Sequence, residues 1–182
     1  MVMRRLLLNC AVTASLAAPL QAQADREADL LRQLSEAETP EAARRVESEL
    51  DALWSQSGSA AVDLLLKRGQ DALEAGDPEA AIGHLTAALD HAPGFAAARV
   101  ARAAAYYATN RIGPALDDLR EALLLNPNHT EALTGFAVLL EEMGREEGAL
   151  ELFRRVQAMD PQDEAVAEAV RRLAVRLEGT AL

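Results

Sequence analysis

Three histidines, one cysteine and an excess of carboxylates are the residues of this chain that could do chemistry. His84 and His91 stand seven apart on one helical pattern, and His129 lies at the mouth of a turn. A zinc site needs Cys, His or carboxylate ligands that converge on one point. No Cys or carboxylate cluster completes a set with these histidines, so all three read as surface or turn residues. No metal and no cofactor are expected. Cys10 is the only thiol, which rules out an intramolecular disulfide. No G-x-S-x-G, H-E-x-x-H, phosphate-binding loop or C-x-x-C occurs, and no enzyme activity is expected. The chain carries 29 Asp and Glu against 18 Lys and Arg, a net charge of -11. The acids are scattered as solvated helix faces would scatter them. Such a surface repels phosphate backbones, so nucleic acid is excluded as a partner. The run "EEMGREE" at 141–147 reads as a solvated turn, or as an acidic rim for a basic partner.

The elements that would position these residues follow from composition and spacing. Half of the 182 residues are apolar, yet only 3% are aromatic. Alanine and leucine dominate, which favours helix almost throughout. Pro93, Pro127 and Pro161 are each 34 residues apart. Other columns agree at the same spacing. Small residues fall at Gly69, Ala103 and Ala137, and turn residues at Gly76, Asn110 and Gly144. Alanines recur at Ala81, Ala115 and Ala149, and bulky residues at Leu85, Leu119 and Phe153. Ala88, Ala122 and Val156 complete the pattern. One row reads as a helix over 59–75, a turn at Gly76-Asp77, and a second helix to about Asp90. Gly76 can take positive φ and close the first helix. Pro78 suits the first turn of the second, and Pro93 stops it. Gly69 and Ala81 are expected to meet at a close helix–helix approach. One such hairpin has too little core of its own and must stack on the next.

This period and these columns resemble the tetratricopeptide-repeat (TPR) family over three repeats, at 59–93, 94–127 and 128–161. Gly69, Gly76, Ala81, Leu85, Ala88 and Pro93 fit its pattern, as do the same columns of the next two rows. The family's frequent first-helix aromatic is kept as Tyr106. Its large apolar residue near the start of the first helix is Leu65 and Leu133, but Arg99 in the middle row. The resemblance implies an all-α fold: a short right-handed superhelical solenoid of antiparallel helix hairpins.

Two kinds of segment flank the array. Residues 1–24 combine Arg4 and Arg5, an uncharged stretch from Leu6 to Leu20, and Ala22-Gln23-Ala24 before Asp25. These are the parts of a cleavable secretory signal peptide. The apolar run is short for a membrane span, which needs about 20 apolar residues. Cleavage after Ala24 and a periplasmic location are expected, with no stable membrane insertion afterwards. Residues 25–58 read as a degenerate helical pair stacked on the first repeat. Thr39 is its N-cap, and Val46, Leu50, Leu53 and Trp54 form its apolar stripe. Residues 162–182 read as a capping helix with Val166, Val170, Leu173 and Leu177 facing inward.

In the resembled family the first helices line a concave side. The residues that this places in a partner-binding groove are Leu66, Gln70 and Leu73 from the first row, and Ala97, Val100, Ala104 and Tyr107 from the second. The third row supplies Glu131, Thr134, Val138 and Glu141. The centre is small and apolar and the ends are acidic, which suits a protein or peptide with an apolar stripe and basic flanks. Some members of the family grip acidic chaperone tails with a clamp of Lys, Arg and Asn. Here Lys67 is the one cation near the stripe, and Glu131 stands where that clamp would want a base. The expected function is a non-enzymatic adaptor or scaffold of the cell envelope. The rival reading is a periplasmic holdase or assembly chaperone for envelope proteins.

Overall fold

The computed structural model of the chain describes the backbone of residues 9–180 and the side chains of 21–179. Arg4 and Arg5, the basic start of the expected leader, lie outside the described residues. Every regular element among the described residues is an α-helix. They are α1 (Asn9–Ser35), α2 (Pro40–Trp54), α3 (Ala60–Glu74), α4 (Pro78–His91), α5 (Ala96–Ala108), α6 (Ile112–Leu125), α7 (Thr130–Glu142), α8 (Glu146–Met159) and α9 (Glu164–Thr180). No described helix is long and apolar enough to cross a membrane.

The three turns that the columns predict share one geometry. After α3, the Gly76 N–H donates to the Leu73 carbonyl at 3.0 Å, and the Asp77 N–H reaches back to Ala72 at 2.8 Å. After α5, Asn110 donates to Tyr107 and Arg111 to Tyr106, both at 2.8 Å. After α7, Gly144 donates to Glu141 at 2.9 Å and Arg145 to Leu140 at 2.8 Å. This paired bonding satisfies the last helical carbonyls and requires a left-handed residue at its corner. Gly76, Asn110 and Gly144 supply it, with φ of 75°, 58° and 72°. The next helix then starts at once. Asp77 accepts the Ala80 N–H at 3.0 Å, and Thr39 accepts the Ala42 N–H at 3.2 Å ahead of α2.

Three columns build the core. Ala81, Leu85 and Ala88 of α4, Ala115, Leu119 and Ala122 of α6, and Ala149, Phe153 and Val156 of α8 are all buried. The close approach of the first hairpin differs in partner from the expectation. A Cβ at Gly69 would lie 2.6 Å from Leu85 Cδ2, so the atoms nearest to Gly69 belong to Leu85 and not to Ala81. At the far end Val166, Ala169 and Leu173 of α9 close the last core. The first helices pack on one another in a row, α3 on α5 and α5 on α7, while α4 and α6, or α6 and α8, make no comparable contact. The row therefore curves with the first helices inside.

The N-terminal pair is where the structure corrects the sequence reading. α1 and α2 share a core of their own, made of Leu30, Leu34, Ala43 and Leu50, but they do not stack on α3 and α4. Instead α1 packs on α8, and Gln162 Nε2 donates to the Ala37 carbonyl at 2.9 Å. The linker makes this possible. Gly58 has φ of 84°, and the Ser57 N–H is held by the Asp63 carboxylate at 2.8 Å. The chain thus folds back, and α2 lies across the inner side of the array.

Candidate functional site

The inner face has two walls: α3, α5 and α7 on one side, and the end of α2 on the other. Between α5 and α7 lies an apolar cavity of about 230 Å³. Val100, Ala104, Tyr107, Val138 and Leu139 line it, with Glu131 at its edge. Val100 is only 3% exposed and forms the floor, Ala104 is exposed, and Tyr107 is 42% exposed. The Tyr107 hydroxyl donates to the Glu142 carboxylate, which tethers the rim. A second cleft of about 250 Å³ runs under α2. Gln70, Leu73, Ala97, Ala104 and Glu131 face Asp51 and Trp54 across it. A third, of about 440 Å³, has Glu47, Leu50 and Asp51 of α2 facing Glu131, Thr134, Asp160 and Asp163. Thr134, Val138 and Glu141 also border a shallow cleft against α9. Ten of the eleven expected groove residues therefore line these clefts. Leu66 does not. It is 1% exposed and belongs to the core between α3, α4 and α5.

Glu131 borders three of the clefts, so the electrostatics of the site centre on it. Its carboxyl is raised above the usual range by loss of hydration, then by repulsion from Asp51. Asp51 is raised for the same first reason. Both side chains are nonetheless exposed at the surface, so the walls of the cleft thin the water beside each charge without removing it. Glu47 is pushed up to about 7, by desolvation, by its hydrogen bond to Asp160, and by the charges of Asp160, Asp163 and Asp51. Among the described residues no ion pair reaches any of these five acids. Other acids are answered. Arg172 donates to Glu141 at 2.8 Å and Arg176 to Glu146 at 2.7 Å, so part of the acidic turn is tied to α9. Lys67 is held by Asp71 on its own helix at 2.7 Å.

His129 does stand at the turn, as the N-cap residue of α7, but the sequence did not show its burial: it is 3% exposed and stacked on Trp54, with ring centroids 4.5 Å apart. Neither ring nitrogen has a hydrogen-bond partner. Burial lowers its pKa to about 4, so the ring is neutral near pH 7. Trp54 does anchor the N-terminal pair, but to the start of α7, and its Nε1–H donates to Glu27 at 3.2 Å. Asp118 behind α5 was also unforeseen. It is 4% exposed and takes a two-pronged bond from Arg102, Nε at 2.7 Å and Nη2 at 2.8 Å. Arg99, the odd residue of the middle row, adds a third contact at 3.3 Å. Among the described residues no group of three or more His, Cys, Asp or Glu is placed to hold a metal ion.

The tetratricopeptide-repeat profile matches residues 72–117 and 113–173, together more than half of the chain. The chain belongs to the tetratricopeptide-repeat family. A TPR repeat-containing protein of Rhizobium etli is 29% identical over 150 residues, which are 82% of this chain and 74% of that one. Solved TPR domains share the fold. The first TPR of Spaghetti (RPAP3), bound to the HSP90 peptide SRMEEVD, superposes with a TM-score of 0.63 at 22% identity over 66% of this chain and 95% of its own. The Sgt2 TPR domain of Aspergillus fumigatus gives 0.62 at 22% identity over 68% of this chain and 83% of its own. The TPR2B domain of yeast Sti1, in complex with an Hsp70 peptide, gives 0.59 at 18% identity over 65% and 99%. In this TPR chain the matched repeats leave α1 and α2 outside the profile, consistent with their separate core.

Proposed function

We propose that this TPR protein is a non-enzymatic adaptor that holds a segment of another protein against its inner face. The observation that carries this reading is the apolar cavity between α5 and α7, open beside exposed Ala104 and Tyr107. Buried apolar area drives such contacts, and an aromatic at the rim adds a large rigid surface. Two solved neighbours are complexes with chaperone peptides, which supports peptide capture by this fold. The acidic inner face argues for a different peptide chemistry, since an acidic tail would meet Glu131, Asp51 and Glu47. A photo-crosslinking amino acid at position 104 tests the reading. It should capture a defined partner segment, whereas the same probe at Glu121 on α6 should not. Equal capture at both positions would sink the groove as the binding surface.

The envelope is the proposed setting. The leader pattern at 1–24 motivates it, and cleavage after Ala24 leaves the docked part of α1 intact. Leu30, Leu34 and the Glu27 contact to Trp54 all follow that point. Sequencing of the protein from its own cells should find an N-terminus at or near Asp25 in the periplasmic fraction. Recovery of an intact Met1 from membranes would contradict it.

A further inference from the structure

We propose that α1 and α2 form a detachable cover over the inner face, and that the partner segment binds there by displacing α2 about the linker at 55–59. The proposal rests on the groove reading above and adds how access to that groove is controlled.

α2 lies where a partner would lie. Gln70, Leu73, Ala97, Ala104, Glu131 and Thr134, six of the expected groove residues, face it across two clefts. The open cavity between α5 and α7 holds about 230 Å³, below the roughly 300–1,000 Å³ that encloses a drug-sized ligand. Ala104 and Glu131 border both that cavity and the cleft under α2. A segment that leaves the cavity toward α3 therefore meets Asp51 and Trp54.

The cover is built to come away whole. Leu30, Leu34, Ala43 and Leu50 give α1 and α2 a core of their own, and α2 packs closely on α1 alone. Its seat is loose: clefts of about 440 and 250 Å³ remain beneath it, where a protein interior would be close-packed. Among the described residues no ion pair joins α1 or α2 to the array. The charges that meet there are alike, Asp51 with Glu131 and Glu47 with Asp160 and Asp163. What holds the cover down is Trp54 on His129, Gln162 with Ala37, Glu47 with Asp160, and α1 against α8. The linker has a natural hinge in Gly58, with φ of 84° and open space around it. An interface that is neither large nor apolar leaves two bodies of one chain free to move.

Trp54 is the only tryptophan, so it reports its own release. Twelve-residue peptides are selected from a tryptophan-free random library on the whole chain. A selected peptide should shift Trp54 emission to the red on binding the parent chain. In a Cys10→Ser chain, Ala37→Cys and Gln162→Cys are then joined by a short bis-maleimide with a reducible centre. These positions touch, with Gln162 Nε2 2.9 Å from the Ala37 carbonyl. The tether should weaken peptide binding about tenfold or more, because the open state is then scarcely populated, and reduction should restore it. The same tether between Glu146→Cys and Arg176→Cys, which touch at 2.7 Å across α8 and α9, should leave binding unchanged. Equal binding with and without the α2 tether, or binding that leaves Trp54 emission unmoved, would overturn the proposal and leave the groove reading standing. Equal loss with both tethers, or a loss that survives reduction, would also overturn it. A library that yields no binder, or binders indifferent to Ala104→Glu, would overturn both readings.

Discussion

At Gly69 there is no room for a methyl group. A Cβ would lie 2.6 Å from Leu85 Cδ2 and closer still to its Cγ, and Leu85 is itself fully buried. Gly69→Ala should overpack α3 against α4 and cost about 1–3 kcal/mol. Chemical denaturation of that variant measures the cost, and an unchanged midpoint would show that α4 yields freely. The small column at this position was legible from the 34-residue spacing, because a steric demand repeats with the repeat. The partner was not legible, since Ala81 and Leu85 lie one turn apart on the same helix face and spacing cannot choose between them. His129 escaped for another reason. Its burial comes from Trp54, which the chain brings back from far upstream, and no local pattern reports such a contact.

Among the elements, the turns carry the clearest sequence signal. Gly76, Asn110 and Gly144 share a column because each must adopt positive φ. The helices between them were readable for the same reason. The polar link from α5 to α6 was hidden: Arg99 stood out as a charge in an apolar column, but no spacing names Asp118 as its partner. Asp118→Ala would leave Arg102 and Arg99 without their buried counter-charge. It should destabilise the array by about 3 kcal/mol, as breaking a buried pair does. A loss below about 1 kcal/mol in the same denaturation assay would place the pair with solvent-exposed ones. The docking of α2 should respond to pH. Glu47 holds its proton up to about 7 in the folded chain, against an ordinary value of 4.5. That raised carboxyl contributes stability below 4.5, which is lost as pH rises through 7. His129 acts the other way. Its value falls from 6.5 to about 4, so its contribution is present above 6.5 and lost as pH falls through 4. The two oppose each other up to about pH 6.5, and above that only the carboxyl acts. The melting temperature should therefore drop between about pH 6.5 and 8, with a change in Trp54 emission, and Glu47→Gln should flatten both. An unchanged slope in that variant would show that Glu47 does not couple the docking of α2 to pH.

For the whole molecule, repetition fixes the array but not what lies inside it. α3 to α9 follow from one pattern used three times and a cap. α1 and α2 obey the same helix rules, yet their place across the inner face depends on Gly58, on the Ser57–Asp63 bond and on Gln162 meeting Ala37. Those contacts give the groove its second wall and its acidic character. The central claim is that the strip of Val100, Ala104, Tyr107 and Val138 is a binding surface and not merely packing. Val100 belongs to the core and cannot separate the two, but Ala104 is exposed and can. Ala104→Glu sets a charge where an apolar side chain of the partner would sit, and burying it there without a counter-charge is costly. In the free protein the new carboxylate reaches water. The decisive measurement is therefore melting temperature and peptide affinity on the same Ala104→Glu protein. A binding surface at Ala104 gives a melting temperature within about two degrees of the parent, as for most surface changes, together with at least a tenfold loss of affinity. A variant that melts like the parent and still binds like it would show that this strip is not where the partner sits.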